Sequence, residues 1–303
     1  MTEKLVHPGV SVVLPVHGNA IYLDETLRSI YASTKVPDEV LIIDDGIDVK
    51  LLGQITSKFI DVRVIPNQGK GLVDALNTGI EIANFDLIAR IDGDDCVEPL
   101  RFHAQQAEFR SDSSLVLLGS QVTYIDPNGL IKGISLYLAG DITRETQKAE
   151  RCLLAHPSVM FRRQEAILVG GYRHICNIDG VDLAEDFDMW VRLSRMGRVV
   201  NSPELLTQYR QHESQLSNQH RLPQEIATYY VRAVGSFENT HPTLAPNLEM
   251  GPSNGSTWGS PLFILRNLGI QAFVLYLVEV LAYRKVINNV MRRYISRVLR
   301  IFA

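Results

Sequence analysis

The sequence predicts an α/β fold in which parallel strands alternate with helices. Short β-branched runs alternate with amphipathic stretches over the first 91 residues, and this alternation is typical of βαβ units. The chain of 303 residues is 46% hydrophobic, which is enough to bury one large core. The last strand of the series is followed by DGDD, so three carboxylates lie where a buried strand meets a loop.

Four strands and three helices make up this series. The strands are predicted at Val10–Val16, Glu39–Asp44, Val62–Ile65 and Asp86–Ile91. The helices are predicted at about Leu23–Ala32, Leu51–Phe59 and Gly71–Ala83. Ligands of such sheets gather at the carboxyl ends of the parallel strands. We therefore expect the polar clusters Pro15–Asn19, Asp44–Gly46 and Asp92–Asp95 to line one cleft.

The second half of the fold has a mixed pattern. Its predicted elements are a helix through Arg110, strands at Leu115–Tyr124 and Ser158–Phe161, a turn at Pro127–Gly129 and a helix at about Ala184–Met196. Residues 1–237 are expected to form one domain with halves of about 1–97 and 98–237. The segment 238–260, rich in Pro, Asn, Gly and Ser, predicts a linker or surface loop before a tail at 261–303.

Charge is distributed unevenly along the chain. The net charge is -4, but residues 261–303 carry seven Lys or Arg residues and one acid, so this tail is +6 and residues 1–260 are -10. The tail predicts amphipathic helices with a basic flank, placed either on an anionic membrane surface or against the body of the protein. Nucleic acid is not an expected partner, because no recognised binding motif accompanies the charge.

Cysteine usage and hydropathy favour a cytoplasmic protein. The cysteines are Cys96, Cys152 and Cys176. Their odd number and the absence of C-x-x-C spacing argue against a disulfide framework and against a structural zinc site. The longest apolar stretch, Ile270–Ala282, is interrupted by Gln271 and Glu279. It is shorter than the roughly 20 residues that span a bilayer, so no transmembrane helix is predicted.

The acidic cluster after the fourth strand predicts a metal site. Neighbouring ionised carboxylates repel each other, and their removal from water is costly, so a hard divalent cation would compensate them. A solvated acidic turn is the alternative, because short acidic patterns are common.

Five segments, in this order along the chain, resemble the motifs of the inverting family 2 glycosyltransferases with the GT-A fold. They are VSVVLPVHGN, VLIIDDG, NQGKGLVDALNTGI, ARIDGDD and AEDFDMWVRLSRMG. The resemblance extends from about Val10 to Ser217. The members of the family that the chain resembles are those of the bacterial surface-polysaccharide, or O-antigen, type. It implies a Rossmann-like mixed sheet flanked by helices, with a C-terminal helical extension.

The resemblance implies a UDP-sugar donor. In this pattern Asp45 accepts a hydrogen bond from the uracil ring, and the turn formed by Pro15, Val16 and His17 lies against the base and ribose. The further nucleotide-sugar-binding candidates are Asp44, Asn67, Lys70, Arg90, Asp92, Gly93 and Arg210.

Each of these candidates has a simpler alternative. Asp44 and Asp45 suit a capped junction between strand and turn, and Ile47 replaces the serine that is common in the family. Asn67 and Lys70 suit solvated loop positions. Arg90 suits an ion pair with the acidic cluster.

The resemblance also implies a divalent metal, Mn²⁺ or Mg²⁺. Asp94 would bind the ion, and Asp92 would share it or hold the ribose. The chain after the catalytic helix sometimes supplies a further ligand, here His212, although a lone histidine is more often a surface residue. Asp95 is expected to support the site rather than bind the metal.

Catalysis is expected at the Glu185–Asp186 pair. The resemblance implies that Asp186 is the general base, which inversion requires, and that Glu185 orients the acceptor or Asp186. Two acids favourably placed at a helix N-terminus are the alternative. His156, in HPSVMF, is expected near one of the sugars, with core packing as its alternative.

The function implied is transfer of a hexose, glucose or galactose, from a UDP-sugar to a hydroxyl of an undecaprenyl-diphosphate-linked glycan in O-antigen or capsule assembly. The enzyme would work in the cytoplasm, with its basic tail on the inner face of the membrane. A sugar nucleotidyltransferase would carry a Gly-rich basic first loop, which PVHGNAIYLDE lacks. An aspartyl phosphatase would carry its acidic motif after the first strand. A non-catalytic nucleotide-sugar-binding module is the remaining alternative.

Overall fold

The computed structural model describes residues 8–18, 20–143, 153–174, 176–178 and 181–212, together with Thr228 and Val231. This part of the chain contains a ten-stranded mixed sheet with helices on both faces and a separate two-stranded hairpin. The predicted α/β class with a mixed sheet flanked by helices is confirmed. The linker predicted at 238–260 and the helical extension predicted at 261–303 lie outside the described residues.

The first half of the sheet is parallel. Its strands are β1 (Val10–Val16), β2 (Glu39–Asp44), β3 (Val62–Pro66) and β4 (Leu87–Arg90), in the spatial order β3-β2-β1-β4. The helices that connect them are α1 (Leu23–Tyr31), α2 (Val49–Thr56) and α3 (Gly71–Ile82). Helix α2 begins two residues before the predicted start, because the Asp48 side chain caps it by accepting from the Leu51 amide at 2.8 Å.

The second half adds antiparallel pairings. Its strands are β5 (Cys96–Val97), β6 (Leu115–Ile125), β7 (Ile131–Ile134), β8 (Gly140–Asp141), β9 (Met160–Arg162) and β12 (Arg198–Arg210), and the hairpin consists of β10 (Cys176–Ile178) and β11 (Val181–Leu183). Its helices are α4 (Arg101–Ser111), α5 (Arg163–Leu168) and α6 (Glu185–Leu193). Strand β9 joins the halves, since it pairs antiparallel with both β4 and β6.

Strand β12 was not predicted from the sequence. It is 13 residues long and runs parallel to β6, with breaks in register between Ser202 and Thr207. Pro203 and polar residues interrupt the strand pattern there, and a bulge tolerates them because the ladder is already broken. Consequently Tyr209 and Arg210 end a long strand beside the acidic cluster.

Two apolar layers enclose the sheet. Residues of β1 alternate between them, as the twofold period of a strand requires. Val12 and Leu14 pack in the layer that contains Leu27 of α1, whereas Val13 packs in the layer that contains Leu76 of α3. Both layers pack against the parallel strands, so apolar side chains cover both faces of this part of the sheet.

Replacement of Leu14 by alanine is expected to lower the free energy of unfolding by about 2–5 kcal/mol, because Leu14 is 0% exposed and a cavity would remain. Leu136→Ala is the matched control: Leu136 is 92% exposed, so its change should stay within about 0.5 kcal/mol. Urea denaturation measures both values. A Leu14→Ala loss no larger than that of Leu136→Ala would contradict the assignment of Leu14 to the core.

None of the helices in the described ranges has the length and apolar character needed to cross a bilayer. The stretch Ile270–Ala282, considered above for this property, lies outside those ranges.

Candidate active site

Three polar loops lie side by side at the carboxyl edge of the parallel strands. Strand β1 pairs in parallel with β2 on one side and with β4 on the other. The Asp45 amide donates to the Val16 carbonyl at 2.9 Å, and Nδ1 of His17 lies 2.6 Å from the Asp45 carbonyl. A Cβ atom at Gly93 would lie 2.6 Å from Val16 Cγ1, so glycine allows the third loop this close approach. The loops after β1, β2 and β4 therefore share one surface.

The end of β1 presents His17 to this surface. Pro15 and Val16 are buried, so they contribute their backbone rather than their side chains. The His17 side chain is 78% exposed, and its Nδ1 lies 3.6 Å from the Asp45 carboxylate. Of these three candidates for contact with the base and ribose, His17 is therefore the one whose side chain a ligand could reach.

Asp45 and Asn67 form a bridge to the start of helix α3. One Asp45 oxygen accepts from Asn67 Nδ2 at 2.8 Å, and the other accepts from the Gly71 amide at 3.0 Å. Asn67 Oδ1 in turn accepts from the Gly69 amide at 3.1 Å. Asn67 is thus placed as a support for Asp45. Oδ1 of Asp45, which accepts from Asn67, also accepts from the Gly71 amide at 3.2 Å. Oδ2 of Asp45 accepts from Gly71 alone among these donors and retains a second lone pair, which can accept an N–H of a ligand.

Asp44 and Lys70 do not point functional groups at this bridge. Oδ1 of Asp44 accepts from the amides of Gly46 and Ile47 at 3.0 and 2.8 Å, so Asp44 holds the turn after β2 and matches the capped-junction alternative. The Lys70 side chain is exposed, and its amide donates to Asp74 at 2.8 Å. Lys70 is therefore placed at a solvated helix start.

Arg90 is buried and paired with Asp92. It is 3% exposed, and its Nη1 donates to Asp92 Oδ2 at 2.6 Å, with a second contact from Nη2 to Oδ1. Its carbonyl accepts from Arg101 Nη2 at 2.7 Å. The structure thus places Arg90 as an ion-pair partner of the acidic cluster, and its contact with a nucleotide-sugar stays a prediction.

The carboxylates of Asp92, Asp94 and Asp95 form the acidic cluster. One oxygen from each lies within 4.8 Å of the others, and His212 is not part of this set. Burial raises the pKa of Asp92, as do the charges of Asp94 and Asp186, while Arg90 opposes the shift. Burial, Asp92 and Asp94 raise the pKa of Asp95 well above its usual range. Buried carboxylates that repel one another form a site that favours an added cation.

The cluster fits a hard divalent ion. Asp95 is 0% exposed, and its Oδ1 accepts from the Arg210 amide at 2.7 Å. Within the described ranges its Oδ2 is buried without a hydrogen-bond partner. An unpaired buried oxygen beside two further carboxylates is the donor set that Mg²⁺ or Mn²⁺ prefers. Asp95, expected only to support the site, is therefore also a candidate ligand.

Arg210 braces the acidic loop from β12. It is 1% exposed, its Nε donates to the Asp94 carbonyl at 2.8 Å, and its Nη2 pairs with Glu25 at 2.7 Å. The guanidinium also lies 4.3 Å from the centre of the Tyr22 ring. The buried side chain thus holds the acidic loop, and its contact with a nucleotide-sugar stays a prediction. Tyr22 and Glu25 could not be identified from the sequence, since no motif marks them.

His212 contacts one member of the cluster. Its Nε2 lies 2.8 Å from Asp94 Oδ2, and its ring lies 5.8 Å from that of Tyr22. His212 thus lies beside Asp94, the residue expected to bind the ion. Ligation by this residue stays a prediction.

The first turn of α6 brings Glu185 and Asp186 towards the cluster. Ala184 precedes them with φ 61°, a left-handed conformation that costs a non-glycine residue roughly 1–3 kcal/mol. Oδ1 of Asp186 accepts from the Phe187 amide at 2.7 Å. Burial raises the pKa of Asp186, while that hydrogen bond and the charge of Arg90 oppose the shift. A carboxylate with a raised pKa is better matched to proton transfer near neutral pH.

His174 links helix α3 to the hairpin that precedes α6. Its Nε2 lies 3.1 Å from Asp74, and its Nδ1 lies 2.9 Å from Asp182. Burial acts to lower the pKa of His174, but the charges and hydrogen bonds of Asp182 and Asp74 outweigh it, so this pKa is raised. The folded state therefore binds this proton more tightly than the unfolded chain.

Stability is expected to depend on pH through His174. Its contribution should be complete below the unfolded pKa, near 6.5, and should be lost as the pH rises through the raised folded value. The unfolding free energies of wild type and His174→Gln should therefore converge as the pH is raised from about 6.5 into the alkaline range. His103→Gln, at an exposed site on α4, is the control. A constant difference across this range would show that the charge of His174 does not stabilise the link.

Comparison with known proteins decides the family. The profile of the family described as glycosyl transferase family 2 matches residues 11–168, which is more than half of the chain. The chain belongs to glycosyl transferase family 2. It is therefore a glycosyltransferase, and the resemblance inferred from the five motifs is confirmed. Membership also decides against the nucleotidyltransferase and phosphatase alternatives.

Several curated relatives of this glycosyltransferase are named for polysaccharide assembly. The O-antigen biosynthesis glycosyltransferase WbnJ of Escherichia coli is 28% identical over 231 residues, which covers 74% of this chain and 87% of WbnJ. The amylovoran biosynthesis glycosyltransferase AmsE of Erwinia amylovora is 28% identical over 193 residues, 62% of this chain and 70% of AmsE. The UDP-Gal:α-D-GlcNAc-diphosphoundecaprenol β-1,3-galactosyltransferase of E. coli is 28% identical over 191 residues, 61% of this chain and 67% of the relative.

Solved structures confirm the fold. The crystal structure of S. aureus TarS residues 1–349 in complex with UDP-GlcNAc has a TM-score of 0.62 with this glycosyltransferase, at 16% sequence identity. The match covers 91% of this chain and 80% of the TarS chain. The GT-A fold implied by the motifs is thus present.

Proposed function

We propose that this glycosyltransferase moves a hexose, glucose or galactose, from a UDP-sugar to a hydroxyl of an undecaprenyl-diphosphate-linked glycan in O-antigen or capsule assembly. The observation that carries the proposal is that the acidic cluster and Asp186 lie close together. The carboxylates of Asp92, Asp94 and Asp95 share one small volume, and Asp186 lies near enough for its charge to raise the pKa of Asp92. One group suits a diphosphate with its metal, and the other suits an attacking hydroxyl.

The uridine is proposed to bind along the loops after β1 and β2. Asp45 would accept the imide N–H of uracil with a lone pair left by Asn67 and Gly71. The exposed His17 side chain lies beside it and could contact the ribose. The UDP-GlcNAc complex of TarS, a protein of the same fold, supports a uridine diphosphate donor.

A divalent ion, Mn²⁺ or Mg²⁺, is proposed to be held by Asp92 and Asp94, with Asp95 as a further oxygen ligand. When bound, the ion would neutralise negative charge that develops on the departing diphosphate. Arg90 fixes Asp92, while Arg210 fixes the backbone of Asp94. These two arginines keep the ligands in place before the donor arrives.

Asp186 is the proposed general base. The acceptor oxygen forms a bond to the anomeric carbon while the bond from that carbon to the diphosphate oxygen breaks, with its electron pair leaving on UDP. The hydroxyl proton passes to Asp186. Attack from the face opposite the leaving group inverts the anomeric configuration. This geometry requires the base and the metal to lie on opposite sides of the sugar, and Asp186 is proposed to lie across the sugar from the proposed metal-binding carboxylates.

The acceptor class and the cellular place follow from two further observations. One relative is named for a diphosphoundecaprenol-linked acceptor, and others are named for O-antigen and amylovoran biosynthesis. The tail at 261–303 carries a net +6, which would attract it to anionic lipid. We propose a catalytic domain of residues 1–237 that works at the cytoplasmic face of the inner membrane, with the tail as its peripheral contact.

The test is UDP release by the full chain with a panel of UDP-sugars, a synthetic N-acetylglucosaminyl diphospho-lipid and Mn²⁺ or Mg²⁺. Release that requires both the lipid and the metal, from UDP-glucose or UDP-galactose, is the expected result. Addition of EDTA should abolish it, and excess Mn²⁺ should restore it. UDP binding without release from any donor would instead support a non-catalytic binding module, and release only from another sugar would correct the donor.

A further inference from the structure

An aromatic cluster surrounds His156 behind the catalytic helix. The His156 ring lies 5.5 Å from the ring of Tyr172 and 5.6 Å from that of Trp190, with the latter contact edge-on. Phe161 closes the cluster against both Tyr172 and Trp190. An imidazolium ion would be poorly solvated here, so His156 is an uncharged ring.

His156 nevertheless makes two polar contacts. Its Nε2 lies 3.0 Å from the Tyr172 hydroxyl, and its Nδ1 lies 3.7 Å from Oε1 of Glu185. The ring therefore connects the loop after α5 to the first turn of α6. A histidine that only packed in the core would not need these polar contacts. One of them is with Glu185, the acid beside the proposed base.

Burial raises the pKa of both partners of His156. Burial raises the pKa of the Tyr172 phenol, so this group stays a hydroxyl. Burial and the charge of Asp186 raise the pKa of Glu185 well above its usual range, and only the charge of Arg90 and a backbone hydrogen bond oppose the shift. The side chains of Glu185 and His156 are 9% and 11% exposed, so little water reaches the contact between them.

The charged and titratable groups around Glu185 come from each element near it. They are Asp186 on its own helix, Arg90 on β4, Asp182 on β11, His156 in the 3₁₀ turn before β9 and Tyr172 in the loop after α5. Arg90 pairs with Asp92 through two contacts, and Asp182 contacts His174. Within the described residues, the side chain in contact with the Glu185 carboxyl is thus an uncharged ring, so this acid has no cation beside it to favour its ionised form.

We propose that His156, supported by Tyr172, is a positioning residue that holds Glu185 uncharged beside Asp186, so that the negative charge of this acidic pair lies on Asp186. The proposal rests on the proposed role of Asp186 as base. Two adjacent carboxylates cannot both ionise cheaply in a buried site, and the one whose environment stabilises the neutral form keeps the proton. The imidazole of His156 supplies that environment for Glu185, which leaves Asp186 ready to accept a proton.

The charge of Glu185 is tested by two substitutions with opposite expectations. Glu185→Gln preserves a neutral hydrogen-bonding group, so its kcat near neutral pH should exceed that of Glu185→Ala by about tenfold or more. The fall of wild-type kcat at alkaline pH, where Glu185 ionises, should be absent in Glu185→Gln. The proposal is overturned if Glu185→Gln is as impaired as Glu185→Ala, or if it keeps the alkaline fall.

The role of His156 is tested through its partner. Tyr172→Phe removes one hydroxyl but keeps the ring that packs on Phe161 and Trp190, and it should lower kcat about tenfold with little change in the donor KM. It should also move the alkaline fall to lower pH, because His156 is then less well held against Glu185. His103→Gln, at an exposed histidine, should change neither quantity. A KM effect without a pH shift would mean that the cluster is only structural.

Infrared spectroscopy tests the protonation state without any substrate. The difference spectrum between wild type and Glu185→Gln near neutral pH should contain the C=O stretch of a protonated carboxyl group. His156→Phe removes the imidazole beside the carboxyl group and should shift the frequency of this band, and absence of the band from the wild type would overturn the proposal. If Asp186→Asn remains active, the proposed base is wrong. If that variant is inactive but the band is missing, only the inference about His156 and Glu185 fails.

Discussion

Replacing Asp186 by asparagine is expected to lower kcat by about 10²–10⁴-fold, the usual contribution of a general base. Asparagine fills the same space and can still accept from the Phe187 amide, as Asp186 does at 2.7 Å, so the first turn of α6 should keep its shape. The donor KM should change little, because the amide removes only the proton acceptor of the transition state. Steady-state kinetics of UDP release measure both constants.

The matched control is Asp86→Asn, which makes the same chemical change at an exposed position just before β4. Its kcat should equal that of wild type. The pH profile provides a second check: since burial raises the pKa of Asp186, the acid limb of wild-type kcat should lie above the ordinary aspartate pKa near 3.9. Equal rates in wild type and Asp186→Asn would remove this residue as the base.

Replacing Asp94 by asparagine is expected to weaken binding of Mn²⁺ and to lower kcat/KM by about 10²–10³-fold, as the loss of several kcal/mol of charge stabilisation implies. The change removes a full negative charge from a set of three carboxylates within 4.8 Å of one another. Electron paramagnetic resonance of Mn²⁺ measures binding without turnover. Wild-type Mn²⁺ affinity in this variant would place the metal elsewhere.

His212→Gln is the comparison for Asp94→Asn, because His212 contacts the cluster only through Asp94 within the described part of the chain. If His212 merely orients that carboxylate, Mn²⁺ affinity and kcat/KM should fall by about 10-fold to 100-fold, as for other residues that orient a metal ligand. A loss as large as that of Asp94→Asn would favour direct ligation by His212.

Local patterns in the sequence were sufficient to predict the first half of the fold. Strands β1 and β2 match their predicted bounds, because their apolar runs pack in both layers and leave one arrangement. Strand β12 escaped prediction, because pairing along β6 forms it in spite of Pro203 and its polar neighbours. Such pairing joins residues about 80 positions apart, which no local pattern records.

The sequence by itself determined the family, the order of the motifs and the acids that the chemistry needs, since each of these is a local property of residue type and spacing. The tertiary structure decided which neighbours those acids have. It buried Arg90 against Asp92 and Arg210 against the Asp94 loop. It also placed His156 against Glu185. Charge, burial and hydrogen bonding are set by groups distant in the chain, so the roles of these residues became apparent only once the chain was folded.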